Sequence, residues 1–540
     1  MNFKKIFSAV AAAAMLTACV GDLNTIPLNP TDVTSETAYG ADEQGYVQGL
    51  AKIYFQLTSN NTQDLQVADG GASEFIRAFW STQEVTADAA KCAWGDAWVN
   101  DLNNCTWKGD VLNDAVYAVY VRTLQGIAYV NEYLRQTSDA NLDLRGCSGD
   151  VKAKVQQFRA EARFLRAYFY WAAMDTFGQV PFSTENTQFG GGYNPPQKPA
   201  AEIFDFIVDE LNDLASEGSA MPAAQSNYPR ADKGSVLGLL ARVYLNAEVY
   251  AGKAMWAEAK TTCEKIYGLG YALAPTHAEL FRGDNGENAD AKKEMLFVAS
   301  YDAENNQSYG GTTYLTLSTL SGDDDAINIT GINGGWAGNR VPDHYVQTYF
   351  APSAADFESG DYTIADKRGQ YFYIKGRAQS MEGNLNTFLN GWSCIKYNNV
   401  PHDMDAVDYA ATAATKNFSD IDWPLIRLGE IHLIYAEACM NAGGDASAQV
   451  AALAERAGVA APAAIDADFL MAERARELMW EAHRRTDLIR YGKWLSGYNW
   501  TFKGGNFGGQ DLPAHFNVFP VPSTELATNL DLQQNPGYAR

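Results

Sequence analysis

Histidine and cysteine are scarce in this 540-residue chain, which has six of the former and seven of the latter. No His-Glu-x-x-His or Cys-x-x-Cys spacing is present, so the sequence predicts no metal site. Apart from Cys19, the cysteines are scattered: Cys92, Cys105, Cys147, Cys263, Cys394 and Cys439. Such a density does not predict a disulfide scaffold, because those scaffolds serve small domains that lack a core. A single bridge between Cys92 and Cys105 stays open.

Positively charged residues are also few. The 41 Lys and Arg residues are outnumbered by 65 Asp and Glu residues, which gives a net charge of −24. Nucleic acid is excluded as a partner, because its phosphates require clustered cations. The Gly-x-Ser-x-Gly motif of serine hydrolases is missing, and we expect no cofactor. What remains, 46% hydrophobic and 20% charged residues, is typical of a globular protein.

The N-terminal sequence indicates the cellular localisation of the protein. Lys4 and Lys5 precede an apolar stretch over 6–15, and Leu16-Thr17-Ala18-Cys19 follows. That order is typical of a secretory signal. The stretch is too short to span a bilayer, which takes about 20 apolar residues.

The tetrapeptide at the end of this segment resembles a bacterial lipobox. We therefore expect a signal peptide over 1–18, acyl chains on Cys19 and an extended lipidated tether over 19–38. The alternative is an ordinary secretory signal that a cysteine follows by coincidence. In the lipobox interpretation the protein is anchored to a membrane without spanning it.

Apolar residues at helical spacing recur along much of the chain. The strongest stripe predicts a helix over 151–176 that stops at Gly178. Further helices are predicted over 41–56, 113–135, 202–215, 236–245, 256–267, 425–442 and 446–456. Several follow one another as pairs with small residues where the helices would touch, which is the pattern of tetratricopeptide hairpins. The predicted fold is mainly α, with a scaffold of such hairpins.

Residues 283–420 interrupt this pattern with many Gly, Asn, Asp, Ser and aromatic residues. They predict a large irregular insertion of loops and short strands, and loops on a rigid scaffold are where binding residues concentrate. The run Asp323-Asp324-Asp325 is interpreted as a solvated loop, with calcium binding as the alternative. We expect one body over 39–540, made of a helical scaffold over about 39–282 and 421–495, the ligand-binding insertion over about 283–420 and an irregular segment over 496–540.

Glu477 and Glu481 are four residues apart, which predicts that they share one face of a helix, and paired carboxylates can hydrolyse glycosides. However, Arg474, Arg484 and Arg485 lie three or four residues from them. A catalytic acid needs a raised pKa, whereas a neighbouring arginine lowers it. We interpret the segment as a structural ion network on a helix and assign no catalytic residue.

Several segments together resemble the SusD/RagB family of surface lipoproteins. They are 423–430 (WPLIRLGE), 435–438 (YAEA), 474–478 (RAREL), 481–492 (EAHRRTDLIRYG), 519–522 (FPVP) and 533–538 (QQNPGY). The resemblance implies a mostly helical fold with tetratricopeptide-like units. It also implies a non-catalytic, glycan-binding lipoprotein on the cell surface, anchored in the outer membrane through Cys19. Its implied partners are an oligosaccharide and a SusC-like TonB-dependent transporter.

Aromatic residues in the stretch 69–107 are the first candidates for a sugar site. Sugar faces stack on indole and phenol rings, while charged and amide side chains bind the hydroxyls. The stretch contains Trp80, Trp94, Trp98 and Trp107 together with Asp69, Arg77 and Asn100. For each tryptophan, packing inside the body is the alternative.

A second candidate region resembles the ligand loops of the family's starch-binding founder, over 308–314 (SYGGTTY) and 333–336 (NGGW). Carried over position by position, the founder's binding residues fall at Asp69, Arg77, Trp94, Tyr309 and Trp336. One tryptophan of the founder falls at Cys92, so Trp98 is the expected substitute, and Asn100 the substitute for a nearby amide. Starch or another α-glucan is the leading prediction, and capture of peptides or a lipid-anchored glycoside hydrolase are the alternatives.

Overall fold

The computed structural model describes residues 35–60, 65, 67, 70–188, 190, 192–412 and 416–540. The predicted signal peptide, Cys19 and most of the predicted tether lie outside the described residues. Within them, no helix combines the length and the apolar character needed to cross a membrane.

Helices are the main regular element of the described structure, and the strands are short. The helices are α1 Ser35–Tyr39, α2 Gln44–Thr58, α3 Phe75–Trp80, α4 Ala97–Asn104, α5 Asp114–Gln136, α6 Asp139–Leu144, α7 Gly149–Phe177, α8 Ala200–Ala215, α9 Lys233–Leu245, α10 Ala247–Ala251, α11 Trp256–Tyr267, α12 Ala289–Glu294, α13 Gly311–Leu317, α14 Ile327–Thr330, α15 Asp343–Phe350, α16 Ala406–Thr412, α17 Leu428–Ala442, α18 Ser447–Ala457, α19 Ala467–Glu477, α20 Arg484–Arg490 and α21 Ser523–Thr528. The strands are β1 Lys91–Cys92, β2 Val180–Pro181, β3 Gln197–Lys198, β4 Met295–Ala299, β5 Asn339–Arg340, β6 Phe372–Tyr373, β7 Ser393–Cys394 and β8 Trp423–Arg427. The predicted mainly α fold with a loop-rich insertion is confirmed, and α1 begins inside the segment predicted as tether.

The longest helix, α7, lies at the centre of the scaffold. It begins where the Ser148 side chain accepts a hydrogen bond from the Val151 amide and ends before Gly178, whose φ is 71°. All residues over 164–177 are buried, because α5 and α8 both pack against this helix. Further pairs follow, with α9 against α8 and α11, and α11 against α17. This succession of packed helices agrees with the predicted tetratricopeptide-like scaffold.

The segment Trp423–Arg427 is strand β8, so the helix predicted over 425–442 begins later, at Leu428. All five residues of the strand are buried, and they pair antiparallel with β4. The residue before a proline is disfavoured in a helix, so Pro424 favours an extended backbone at Trp423. The mutual pairing of β4 and β8 satisfies backbone groups that burial would otherwise leave without partners.

The two carboxylates predicted on one helix face are separated by a turn. Helix α19 ends at Glu477, and the following Trp480 and Ala482 both have a φ of 62°. Glu481 therefore lies beyond the end of the helix. The prediction of a shared helix face was wrong, because the alternation of charges in the sequence does not show the left-handed turn between them.

Both carboxylates are nevertheless buried against the same arginine. Arg427 approaches Glu477 Oε1 with Nη1 and Glu481 Oε2 with Nε, at 2.6 Å each, and Lys396 Nζ lies 2.6 Å from Glu481 Oε1. Burial raises the pKa of Glu477, but the charges of Arg456, Arg427 and Arg368 outweigh it and hold that pKa well below its usual range. An acid that stays ionised cannot donate the proton that glycoside cleavage needs.

The six cysteines among the described residues are free and buried. Cys92 and Cys105, the pair that the sequence left open, have separate partners. The Cys92 amide donates to Asn103 Oδ1 at 2.9 Å, and Cys105 Sγ donates to the Thr86 carbonyl at 3.1 Å. No disulfide holds this part of the described chain together.

Candidate functional site

A two-residue strand pairing brings Trp94 and Trp336 together from distant parts of the chain. Strands β1 and β5 pair antiparallel with Lys91 opposite Arg340, and the ladder continues as the Ala93 amide donates to the Gly338 carbonyl. Beyond it, Trp94 Nε1 donates to the Trp336 carbonyl at 2.9 Å. Both indole side chains are left half-buried.

Arg77 lies beneath Trp94. Its guanidinium carbon is 5.2 Å from the centroid of the Trp94 ring and 4.4 Å from that of Tyr314, distances at which a cation attracts an aromatic face. The arginine, on α3, is only 2% exposed. It therefore supports the indole from inside the protein and presents little surface to a ligand.

Tyr309 forms the outer edge of the same surface. Its side chain is 54% exposed, and its ring centroid is 6.3 Å from that of Trp336 and 5.1 Å from that of Phe418. Trp94, Tyr309, Trp336 and Phe418 are called the aromatic shelf below. Rings that keep an exposed face and a fixed orientation are suited to stacking on flat ligands such as sugar rings.

The loop that carries Tyr309 is fixed from below by Glu74. This buried carboxylate accepts hydrogen bonds from the hydroxyls of Ser308 and Tyr301. The approach is so close that a Cβ on Gly310 would lie 2.2 Å from Glu74 Oε2, which explains the glycine. Burial raises the pKa of Glu74 to about 8, although both hydroxyls and the nearby arginine charges lower it.

A loop over 384–390, which the sequence does not single out, borders the shelf beside Trp94. Asn386 Nδ2 donates to the Ala93 carbonyl at 3.1 Å and to that of Trp94 at 3.4 Å. Arg340, wholly buried at the end of β5, donates to three carbonyls of the loop over distances of 2.6–2.9 Å. One arginine thus connects the ladder under the indoles to the loop beside them.

Asp324, in the acidic run of the insertion, also helps to hold the 384–390 loop in place. Asp324 Oδ2 lies 2.7 Å from Arg377 Nη2 and accepts hydrogen bonds from the amide and hydroxyl of Ser321. The Arg377 guanidinium in turn packs over the ring of Phe388, 4.4 Å from its centroid. The central carboxylate of the predicted solvated loop is therefore in an ion pair that fixes the 384–390 loop.

Comparison with known proteins identifies the family. The matching family models are described as "SusD family", over residues 269–538, and "Starch-binding associating with outer membrane", over residues 61–245. The starch-binding protein SusD of Bacteroides thetaiotaomicron is 30% identical over 576 aligned residues, which cover 99% of each chain. The chain belongs to the SusD family. The resemblance stated from the sequence is thereby confirmed.

Solved structures of the SusD superfamily share this fold. A SusD superfamily protein from Parabacteroides distasonis superposes with a TM-score of 0.69 at 20% identity, over 94% of this chain and 100% of its own. Surface glycan-binding protein A from Bacteroides thetaiotaomicron, in complex with laminarihexaose, gives 0.67 at 17% identity, over 91% of this chain and 99% of its own. At these identities the likeness shows the fold alone.

The other predicted site residues of this SusD-family chain are not part of the aromatic shelf. Asp69 falls outside the described residues. Trp98 is buried, at 8% exposure, so its ring offers almost no open face. Asn100 is half-buried and donates to the Gly95 carbonyl at 3.3 Å. Trp80 and Trp107, the other candidate aromatics, are buried in the core.

Phe418 is the shelf residue that sequence reasoning missed. It lies near the end of the loop-rich insertion, outside both candidate regions, and only its packing against Tyr309 places it on the shelf. An aromatic residue just before a buried strand such as β8 was the available signal, and it is a weak one.

Proposed function

We propose that this SusD-family protein captures oligosaccharides at the cell surface and does not process them. The observation that carries the proposal is the aromatic shelf, whose rings keep exposed area while hydrogen bonds and Arg77 fix their positions. Stacking on fixed rings binds a sugar without ordering flexible side chains first. The buried, arginine-bound state of Glu477 and Glu481 gives no support to the hydrolase alternative.

The captured oligosaccharide is then delivered to a TonB-dependent transporter in the outer membrane. This step rests on membership of the SusD family and on the predicted lipidation of Cys19. A lipid-anchored protein stays beside the membrane in which a transporter lies, so a bound glycan is held at high local concentration near the pore.

Starch or another α-glucan is the proposed ligand class. Its support is the 30% identity to a protein named as starch-binding and the common position of Trp94, Tyr309 and Trp336 on one surface. Among proteins of this fold at lower identity, one is named as laminarin-binding and another was solved in complex with laminarihexaose. The cysteine at position 92 and the burial of Trp98 leave fewer stacking rings than a long arc would have.

Isothermal titration calorimetry against maltohexaose, laminarihexaose and a mixture of short peptides tests this proposal. We expect heat from maltohexaose and its loss in Trp94→Ala, while far-UV circular dichroism of the variant stays unchanged. Heat from laminarihexaose alone would keep glycan capture but replace the α-glucan. Heat from the peptides alone would overturn glycan capture, and chromatographic detection of shortened maltohexaose would overturn the absence of catalysis.

A further inference from the structure

A wide cavity lies away from the aromatic shelf. It has a volume of about 860 Å³ and is formed by the segments 275–282 and 360–370, with His402 at its edge. None of the four shelf residues lines it. We call it the polar cavity, and its volume is in the range of small-molecule binding sites.

The charged groups at the back of the polar cavity are already neutralised. Arg368 lies 2.6 Å from Asp366. It also lies 2.8 Å from Glu473 and 2.9 Å from Glu477, both in α19. Arg456 lies 2.5 Å from Glu294 and from Glu477. These ion pairs hold the two arginines in place and neutralise their charges, so neither arginine is available to bind an anionic ligand.

Two other cations that line the cavity have no such compensation. Arg282 and Lys367 form neither an ion pair nor a side-chain hydrogen bond with any described residue. The acidic groups near them are engaged elsewhere, since Asp284 binds His402 at 2.5 Å and Glu279 accepts from the Thr276 hydroxyl at 2.9 Å. Burial lowers the pKa of Arg282, although Tyr371 and the charge of Asp284 act in the opposite direction.

A half-buried arginine without an ion pair is unexpected in this chain, whereas the exposed Lys367 needs no partner. The protein has a net charge of −24, so acidic partners for surface cations are plentiful. Partly buried guanidinium groups are normally paired, because leaving their donors unused costs free energy. An arginine that lines a cavity and forms no ion pair is suited to receive a planar anion in two parallel hydrogen bonds.

We propose that the polar cavity is a second binding site, for an acidic sugar unit held by Arg282 and Lys367. The carboxylate or sulfate of the sugar contacts the two cations, and its hydroxyls meet the side chains of Gln370 and Thr363 on the same wall. That the anion is carried by a sugar rests on the proposed glycan capture. The site itself is independent of the aromatic shelf.

Calorimetry with trigalacturonic acid, galactose 6-sulfate and maltohexaose tests the second site. We expect an acidic sugar to bind the wild type, more weakly at high salt, and about tenfold more weakly in Arg282→Gln, since a hydrogen bond to a charged group is lost. Lys367→Gln should act in the same direction. Lys265→Gln removes an exposed cation of α11 outside the cavity and serves as the matched control.

The two sites are separated by crossing the variants with the ligands. Tyr309→Ala should leave acidic-sugar binding unchanged, and Arg282→Gln should leave maltohexaose binding unchanged. Binding of trigalacturonic acid alone identifies a carboxylate site, and binding of galactose 6-sulfate alone a sulfate site. The second site is overturned if neither acidic sugar binds, or if Tyr309→Ala abolishes their binding while Arg282→Gln does not. Absence of maltohexaose binding would argue against the aromatic shelf as a glycan site and would not affect the proposal for the polar cavity.

Discussion

Replacement of Tyr309 by alanine separates ligand binding from folding more cleanly than any other change on the shelf. The ring is 54% exposed and packs at its edge near Phe418 and Trp336, with centroids 5.1 and 6.3 Å away. Because little buried area is lost, we expect unfolding to become easier by less than about 1 kcal/mol. A ring stacked on sugar contributes more than about 1 kcal/mol, so affinity should fall about fivefold or more.

The assay is calorimetry with maltohexaose, alongside urea unfolding of the same samples. Tyr309→Phe keeps the ring and should bind nearly as the wild type does. Tyr193→Ala removes another exposed tyrosine, 42% accessible in the loop between β2 and β3, and should leave affinity unchanged. Wild-type affinity in Tyr309→Ala, or an equal loss in Tyr193→Ala, would refute the stacking argument.

Three further predictions concern the helical scaffold and the support of the shelf. Leu165→Ala in α7 removes a fully buried side chain and should cost about 2–5 kcal/mol in urea unfolding, with affinity per folded molecule unchanged; a cost near zero would contradict it. Arg340→Met leaves three carbonyls without their donor and should cost about 1–3 kcal/mol, with faster hydrogen exchange over 384–390; unchanged exchange would argue against this role. The raised pKa of Glu74 favours the folded state fully below the ordinary carboxyl pKa and loses this contribution as pH rises through about 8. Melting temperature should therefore fall between about pH 5 and 8 in the wild type and less in Glu74→Gln, and parallel profiles would oppose the assignment.

The helical scaffold could be predicted from the sequence because its signals are local. The stripe of apolar residues in α7 repeats every three or four positions, and Gly178 ends it, so both bounds agree with the structure within two residues. The same holds for α11, which matches its predicted range of 256–267. Periodicity within one segment decides such elements without knowledge of what packs against them.

Elements that depend on a distant partner could not be predicted in this way. The strand β8 exists because β4, more than 120 residues earlier in the chain, supplies the opposite backbone groups. Glu477 and Glu481 pair with Arg427 and Lys396 and not with the arginines at helical spacing from them, whereas Asp487 does pair with Arg490 three residues later. Residue types indicated an ion network, and only the fold determines which ions meet.

The contrast between Trp80 and Trp94 shows what decides whether an indole is available to a ligand. Both rings donate their N–H to a backbone carbonyl, so hydrogen bonding does not distinguish them. Trp80 packs against the ring of Trp480, 5.0 Å away, and is wholly buried. Trp94 packs on Gly338, where a Cβ would come within 2.8 Å of the indole. Because this residue is a glycine, its backbone can lie directly against one side of the ring, and the ring stays half-exposed. The carbonyl that orients it belongs to a residue 242 positions away, joined through a pairing of two residues per strand. Composition reveals that tryptophans are present, but a pairing this short leaves no periodic signal, and it separates a ring with an open face from a ring in the core.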